Sequence, residues 1–125
     1  MRPRSDTLTG QELEIMKVIW RLGGGTVRDV YGDLRDRRSI AYTTVQTMMN
    51  ILESKGHLKK QPGDKAQVYA PTRPKQQVVR SMVREFVDRV FDGSARPLLV
   101  HLLKEKGLSE RERRELQRLL DKEEP

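Results

Sequence analysis

The sequence predicts a mainly α fold with one small β-hairpin, organised as a head followed by a helical tail. Three observations carry that prediction. Apolar residues recur at helical spacing as far as Lys55, the period then changes around Pro62-Gly63-Asp64-Lys65, and three further helical stripes follow Pro74.

The first helix opens on Thr9-Gly10-Gln11-Glu12, a capping box in which the Thr9 hydroxyl and the Glu12 carboxylate satisfy each other's free amides. Leu13, Met16, Ile19 and Trp20 form its predicted inner stripe, and Gly23-Gly24-Gly25 ends it, because consecutive glycines lose too much backbone entropy in a helix. Thr26, with Asp29 three residues on, caps a short second helix whose inner face is Val27, Val30, Tyr31 and Leu34. Arg35-Asp36-Arg37-Arg38-Ser39 reads as an exposed connection. A third helix is predicted from about Tyr42 to Lys55, with Val45, Met48, Met49 and Leu52 inward and Gly56 as its left-handed C-terminal cap. Leu58–Gln61 and Ala66–Ala70 then read as two strands with a charged turn between them.

Pro71 and Pro74 mark a boundary, so the expected domains are 1–73 and 74–125. Beyond it a long helix should run to about Phe91, with Val78, Val79, Met82, Val83, Phe86, Val87, Val90 and Phe91 inward, until Asp92-Gly93-Ser94 stops it. Leu98, Leu99, Leu102 and Leu103 mark a fifth helix closed by Gly107. Ser109-Glu110-Arg111-Glu112 is a second Ser/Thr…Glu box, opening a sixth helix with Leu116, Leu119 and Leu120 on one side.

Three short helices followed directly by a hairpin are the layout of a winged helix-turn-helix, in which the third helix lies in the DNA major groove. The outward positions of that helix are Tyr42, Thr43, Gln46, Thr47 and Asn50, and no acidic residue occurs from Ser39 to Leu52. Gln and Asn can bond paired base edges, while Thr offers a hydroxyl and a methyl, so Thr43, Gln46, Thr47 and Asn50 are the candidate base readers. Arg28, Arg37, Arg38, Tyr42, Lys55, Lys59, Lys60 and Lys65 are the candidate phosphate contacts. The charge distribution agrees. The formal charge is +7; residues 1–73 hold 13 Lys/Arg against 8 Asp/Glu, a net of +5, and residues 74–125 hold 12 against 10, a net of +2.

With 35% hydrophobic and 34% charged residues, the chain commands only a thin core. The three tail helices are too few to enclose one of their own, so they are expected to pair with a second copy through Phe86, Val90, Phe91, Leu99, Leu102, Leu103 and Leu116. A two-fold dimer sets two recognition helices one DNA turn apart and calls for a pseudo-palindromic operator. The alternative reading is a winged-helix module that binds protein; the lysines of the hairpin weigh against it. A small ligand between head and tail is a third possibility, but no polar cluster in an apolar setting marks such a pocket.

Enzyme classes find little footing. The sequence has no cysteine, its two histidines, His57 and His101, lie far apart, and Gly23-Gly24-Gly25 lacks the Lys-Ser/Thr of a phosphate loop. No cofactor or metal is expected. No apolar segment follows the charged start, and runs such as Pro97-Leu98-Leu99-Val100 are too short for a bilayer, so a cytoplasmic protein without membrane insertion is expected.

Three stretches resemble the penicillinase-repressor (BlaI/MecI) family: Leu8-Thr9-Gly10-Gln11-Glu12-Leu13-Glu14-Ile15-Met16-Lys17-Val18-Ile19-Trp20, Ala41-Tyr42-Thr43-Thr44-Val45-Gln46-Thr47, and Leu52-Glu53-Ser54-Lys55-Gly56-His57-Leu58. Tyr69-Ala70-Pro71 and Phe91-Asp92-Gly93-Ser94 extend the resemblance along nearly the whole chain. It implies a homodimeric transcriptional repressor on a palindromic operator, controlling β-lactam-resistance or related genes. It also implies, as a further partner, a membrane sensor protease or its downstream protease that triggers cleavage of the tail. Family members induced in this way are cut at an Asn-Phe bond in the fifth helix; here the corresponding stretch reads Val100-His101-Leu102, and the sole asparagine is Asn50. The copper-responsive branch uses C-terminal cysteines, which this sequence lacks.

Overall fold

A computed structural model describes residues 7–105 and 107–123. The elements are α1 (Gly10–Leu22), α2 (Val27–Arg35), α3 (Tyr42–Ser54), β1 (Leu58–Pro62), β2 (Gln67–Pro71), α4 (Lys75–Val90), α5 (Arg96–Lys104) and α6 (Glu110–Glu123). The chain divides into two compact units, one ending at Met82 and the other beginning at Val83.

In the first unit, the amphipathic period of each helix supplies one wall of a single core. Ile15, Met16, Val18 and Ile19 come from α1, Val27, Val30 and Leu34 from α2, and Val45, Met49 and Leu52 from α3. Leu58, Tyr69 and Val78 close it. The buried stripe of α1 is rotated from the expected one: Ile15 and Val18 are buried, while Leu13 and Trp20 sit at the edge of the core. Trp20 stays there because its indole Nε1 donates to the carbonyl of Arg73 at 3.0 Å.

The helix ends follow local chemistry. Thr9 with Glu12 and Thr26 with Asp29 both form reciprocal capping boxes. Gly56, at φ 87°, ends α3: its N–H donates to the Glu53 carbonyl and the His57 N–H to the Leu52 carbonyl, a Schellman motif.

β1 and β2 pair antiparallel, Leu58 opposite Pro71 and Lys60 opposite Tyr69. The glycine turn after α1 does more than stop a helix. Gly25 makes an isolated antiparallel bridge to Tyr69, with N–H···O distances of 2.9 and 2.8 Å in the two directions. Gly24, at φ 132°, brings the chain so close that an added Cβ would lie 3.1 Å from the Tyr69 carbonyl oxygen. The hairpin is thus tied to the start of α2 by backbone alone.

The division falls within α4, beyond the expected boundary at Pro74, because Val78 is buried in the head core and Met82 packs against it. Past Met82, the second unit comprises the rest of α4, then α5 and α6. Asp92 and Gly93, at φ 54° and 87°, end the α4 segment. α5 already ends at Lys104, before Gly107. The predicted box at α6 is present, the Ser109 N–H donating to Glu112 Oε1 at 3.0 Å and the Glu112 N–H to Ser109 Oγ at 3.1 Å. Leu120 lies on α6, but its side chain is outside the described residues. Among the described residues, no helix is long and apolar enough to cross a membrane.

Candidate nucleic-acid interface

Val45, Met49 and Leu52 are fully buried and fix the rotation of α3 about its axis. Helical geometry then leaves Tyr42, Thr43, Gln46, Thr47 and Asn50 on the exposed side, and all five are exposed. Tyr42 is steadied by Tyr31 of α2, the rings meeting edge-on at 5.4 Å. Ile51, next to Asn50, is exposed as well.

The N-terminus of α3 differs from those of α1 and α2. Its cap residue is Ala41, which has no side-chain oxygen to offer, and no acidic side chain stands in its first turn. The positive end of the helix dipole is therefore left open at the start of the polar face.

Beside α3 runs an open groove of about 890 Å³, walled by Tyr42, Gln46 and Asn50 of α3, by Thr26, Val27 and Arg28 at the start of α2, and by Lys60 and residues 63–69 of the hairpin. Arg28, Lys60 and Lys65 bring cations to it and Asp64 at the hairpin tip brings one acid. Lys59 is exposed but alternates to the other face of β1. At the tip, Gly63 is held by space: an added Cβ would come within 2.5 Å of the Ala66 carbonyl oxygen and 2.8 Å of Val68.

Three of the sequence-predicted phosphate contacts have partners within the chain. Arg38 pairs with Glu14 at 2.6 Å, and Arg37 pairs with Asp33, which also receives Arg21 at 2.5 Å. Those two guanidiniums, Arg21 foremost, hold the Asp33 carboxyl below the ordinary carboxylate range. Lys55 reaches back to Glu12 at 2.7 Å. Burial pushes the Glu12 carboxyl up, but the Lys55 ammonium and the Thr9 N–H together outweigh it and leave the group below its ordinary value. Arg28, Lys59, Lys60 and Lys65 are in no ion pair among the described residues. Lys60 does lie over the Tyr69 ring, 5.7 Å from its centroid.

One contact joins the recognition face to the hairpin. The Tyr69 hydroxyl donates to Asn50 Oδ1 at 2.8 Å. Sequence reading missed both this bond and the Gly25 bridge; the partners lie far apart along the chain, and neither leaves a local pattern.

The sequence from Leu8 onward matches the family described as "Penicillinase repressor" over residues 8–122. The chain belongs to the penicillinase repressor family. It is 27% identical over 114 residues to the penicillinase repressor of Bacillus licheniformis, spanning 91% of this chain and 89% of that protein. It is 33% identical over 101 residues to the transcriptional regulator BlaI of Mycobacterium tuberculosis, spanning 79% of this chain and 73% of that one. Among solved structures, it resembles the monomeric form of B. licheniformis BlaI in complex with the blaP half-operator, with TM-score 0.51 and 29% identity over 61% of this chain and 92% of that one. The fold is accordingly the winged helix-turn-helix of this family, with the hairpin as its wing. These homologues are transcriptional repressors, a class that is not enzymatic.

In the second unit, Phe86, Val90, Leu99, Leu102 and Leu103 are exposed on the single chain, with values from 38% at Leu99 to 52% at Val90. Phe91 and Leu116 are partly buried. Phe86 and Phe91 meet edge-on at 5.9 Å. No residue of α5 is buried.

Proposed function

We propose that the chain is a cytoplasmic transcriptional repressor that binds operator DNA as a homodimer, α3 lying in the major groove and the wing on the adjoining backbone. The observation that carries this reading is the exposed, acid-free face of α3 beside a groove supplied with Arg28, Lys60 and Lys65. Thr43, Gln46, Thr47 and Asn50 are its base readers. Arg28, Lys59, Lys60 and Lys65 are its phosphate contacts, with the open N-terminus of α3 and Tyr42 beside them. Arg37, Arg38 and Lys55 are already engaged by Asp33, Glu14 and Glu12, and we assign them to holding the head together.

Dimerisation supplies affinity. One head makes few contacts, and joining two raises the effective concentration of the second at its half-site. The exposed apolar faces of the tail support a second copy as the partner. The relatives' names extend the reading to antibiotic-resistance genes. No catalytic step belongs to it, and since α5 holds no asparagine, neither does cleavage at an Asn-Phe bond.

A gel shift with promoter-proximal DNA at low salt tests the reading: a shifted, sequence-dependent complex is expected, and none on any fragment would favour the protein-binding module. Gln46→Ala should cost about 1–3 kcal/mol and relax one operator position. Lys60→Ala should weaken all sequences alike and lower the slope of log affinity against log salt by about one unit.

A further inference from the structure

Asn50 and Gln46 stand one turn apart on the exposed face of α3, both with amide side chains, yet they are not equivalent. A free amide turns either edge outward, and by presenting its oxygen and nitrogen together it reads adenine through N6 and N7. Among the described residues Gln46 makes no side-chain hydrogen bond and keeps that freedom. Asn50 stands turned one way, its Oδ1 accepting from the Tyr69 hydroxyl at 2.8 Å.

Both ends of this bond are held. Tyr69 is 4% exposed. Its backbone is fixed on one side by the two hydrogen bonds to Gly25 and on the other by its place opposite Lys60 in the hairpin. Asn50 follows Met49, which is fully buried and anchors α3 at that turn. With Oδ1 turned to the wing, the atom of Asn50 left for the groove is the Nδ2 amino group, which carries hydrogens only.

We infer that Tyr69 is a positioning residue for operator reading: by holding Asn50 Oδ1 toward the wing it presents Nδ2 alone, so that Asn50 selects guanine or thymine over cytosine, which offers no acceptor, and over adenine, whose single acceptor stands beside a donor that the turned-away Oδ1 leaves unmet. Guanine displays two adjacent acceptors in the major groove, N7 and O6, and thymine displays O4, whereas cytosine displays a donor and adenine an acceptor beside a donor. This inference rests on the reading of α3 as the groove-filling helix.

The plain structural role of such a bond is to satisfy a buried hydroxyl. That role would alter stability, and binding to every sequence alike, but not the preference at one base pair. The test is a competition of the full-length protein, the Tyr69→Phe and Asn50→Ala variants and the double variant against a library of operator sequences, with thermal melting to confirm folding. Asn50→Ala identifies the position read by Asn50 as the one where preference is lost. There the unaltered protein should favour guanine or thymine, and Tyr69→Phe should move the preference toward adenine by roughly 5- to 100-fold. The salt slope should stay unchanged. In the Asn50→Ala background Tyr69→Phe should change no preference. A wild-type preference for adenine or cytosine, no position lost in Asn50→Ala, or an unaltered preference in Tyr69→Phe would each overturn the inference while leaving the repressor reading in place. Failure of the unaltered protein to bind any sequence would instead sink the repressor reading.

Discussion

In the head, α1, α2 and α3 turn their apolar faces on one another and leave Ile19, Val30, Leu34, Val45, Met49 and Leu52 with no exposed surface, whereas in the tail the same kind of stripe leaves Val83, Phe86, Val90, Leu102 and Leu103 at least two-fifths exposed. The helices of the two regions share one period and similar residue types. What differs is closure: the head surrounds its core with three helices, a hairpin and the first turns of α4, and the tail has no such ring. A helical period states that a face must be covered; it does not state by what.

The comparison can be broken at its strongest point first. Leu52→Ala removes a side chain packed on all sides and should cost about 2–5 kcal/mol of head stability, read from urea unfolding. A loss well under 1 kcal/mol would mean that the head core is looser than its burial implies.

Lys55→Met probes the edge of the same core. It removes the cation from the Glu12 carboxylate, itself 3% exposed, and leaves it the Thr9 N–H; with Lys55 45% exposed, solvent softens the loss to about 1–2 kcal/mol near neutral pH. The pH dependence carries the sign. Because the folded Glu12 carboxyl lies below its ordinary value, its contribution is full above that value and disappears as pH falls through the folded one. The gap between the unaltered protein and Lys55→Met should therefore narrow on acidification, and a gap constant with pH would show that packing of the lysine stem, and not the charge, is at stake.

Phe86→Ala should do least to the fold, within about 0.5 kcal/mol for unfolding of the isolated chain, because the side chain is 48% exposed. Sedimentation should nevertheless show a weaker dimer. An unchanged dimer would remove Phe86 from the pairing surface and leave the tail's apolar faces to another partner.

How far the sequence could be read follows the same division between local and distant. The capping boxes at Thr9, Thr26 and Ser109 span three residues each, and all are present as read. So is the order of the elements, and the wing turn is displaced by only one residue: Pro62 still pairs with Gln67 as the end of β1, so the turn is Gly63-Asp64-Lys65-Ala66. The contacts that shape the interface join residues with no spacing rule between them: Glu12 with Lys55, Trp20 with Arg73, Gly25 with Tyr69, Asn50 with Tyr69. For the same reason Arg37, Arg38 and Lys55 looked like available cations, since an acid at Asp33, Glu14 or Glu12 becomes a partner only once the helices are packed. In the tail, the apolar pattern of α4 was legible as one continuous face, while its division between the head core at Val78 and the open surface at Phe86 was not.

The bridge between Gly25 and Tyr69 makes the wing a bracket instead of a finger. Swinging it away from α3 would break two main-chain bonds and the Tyr69 to Asn50 contact together, so the width of the imprint that one head leaves on a duplex is set before any DNA arrives. On the proposed dimeric reading, such a head tolerates little change in the length of a half-site, and variation in the distance between half-sites would have to be absorbed outside the head.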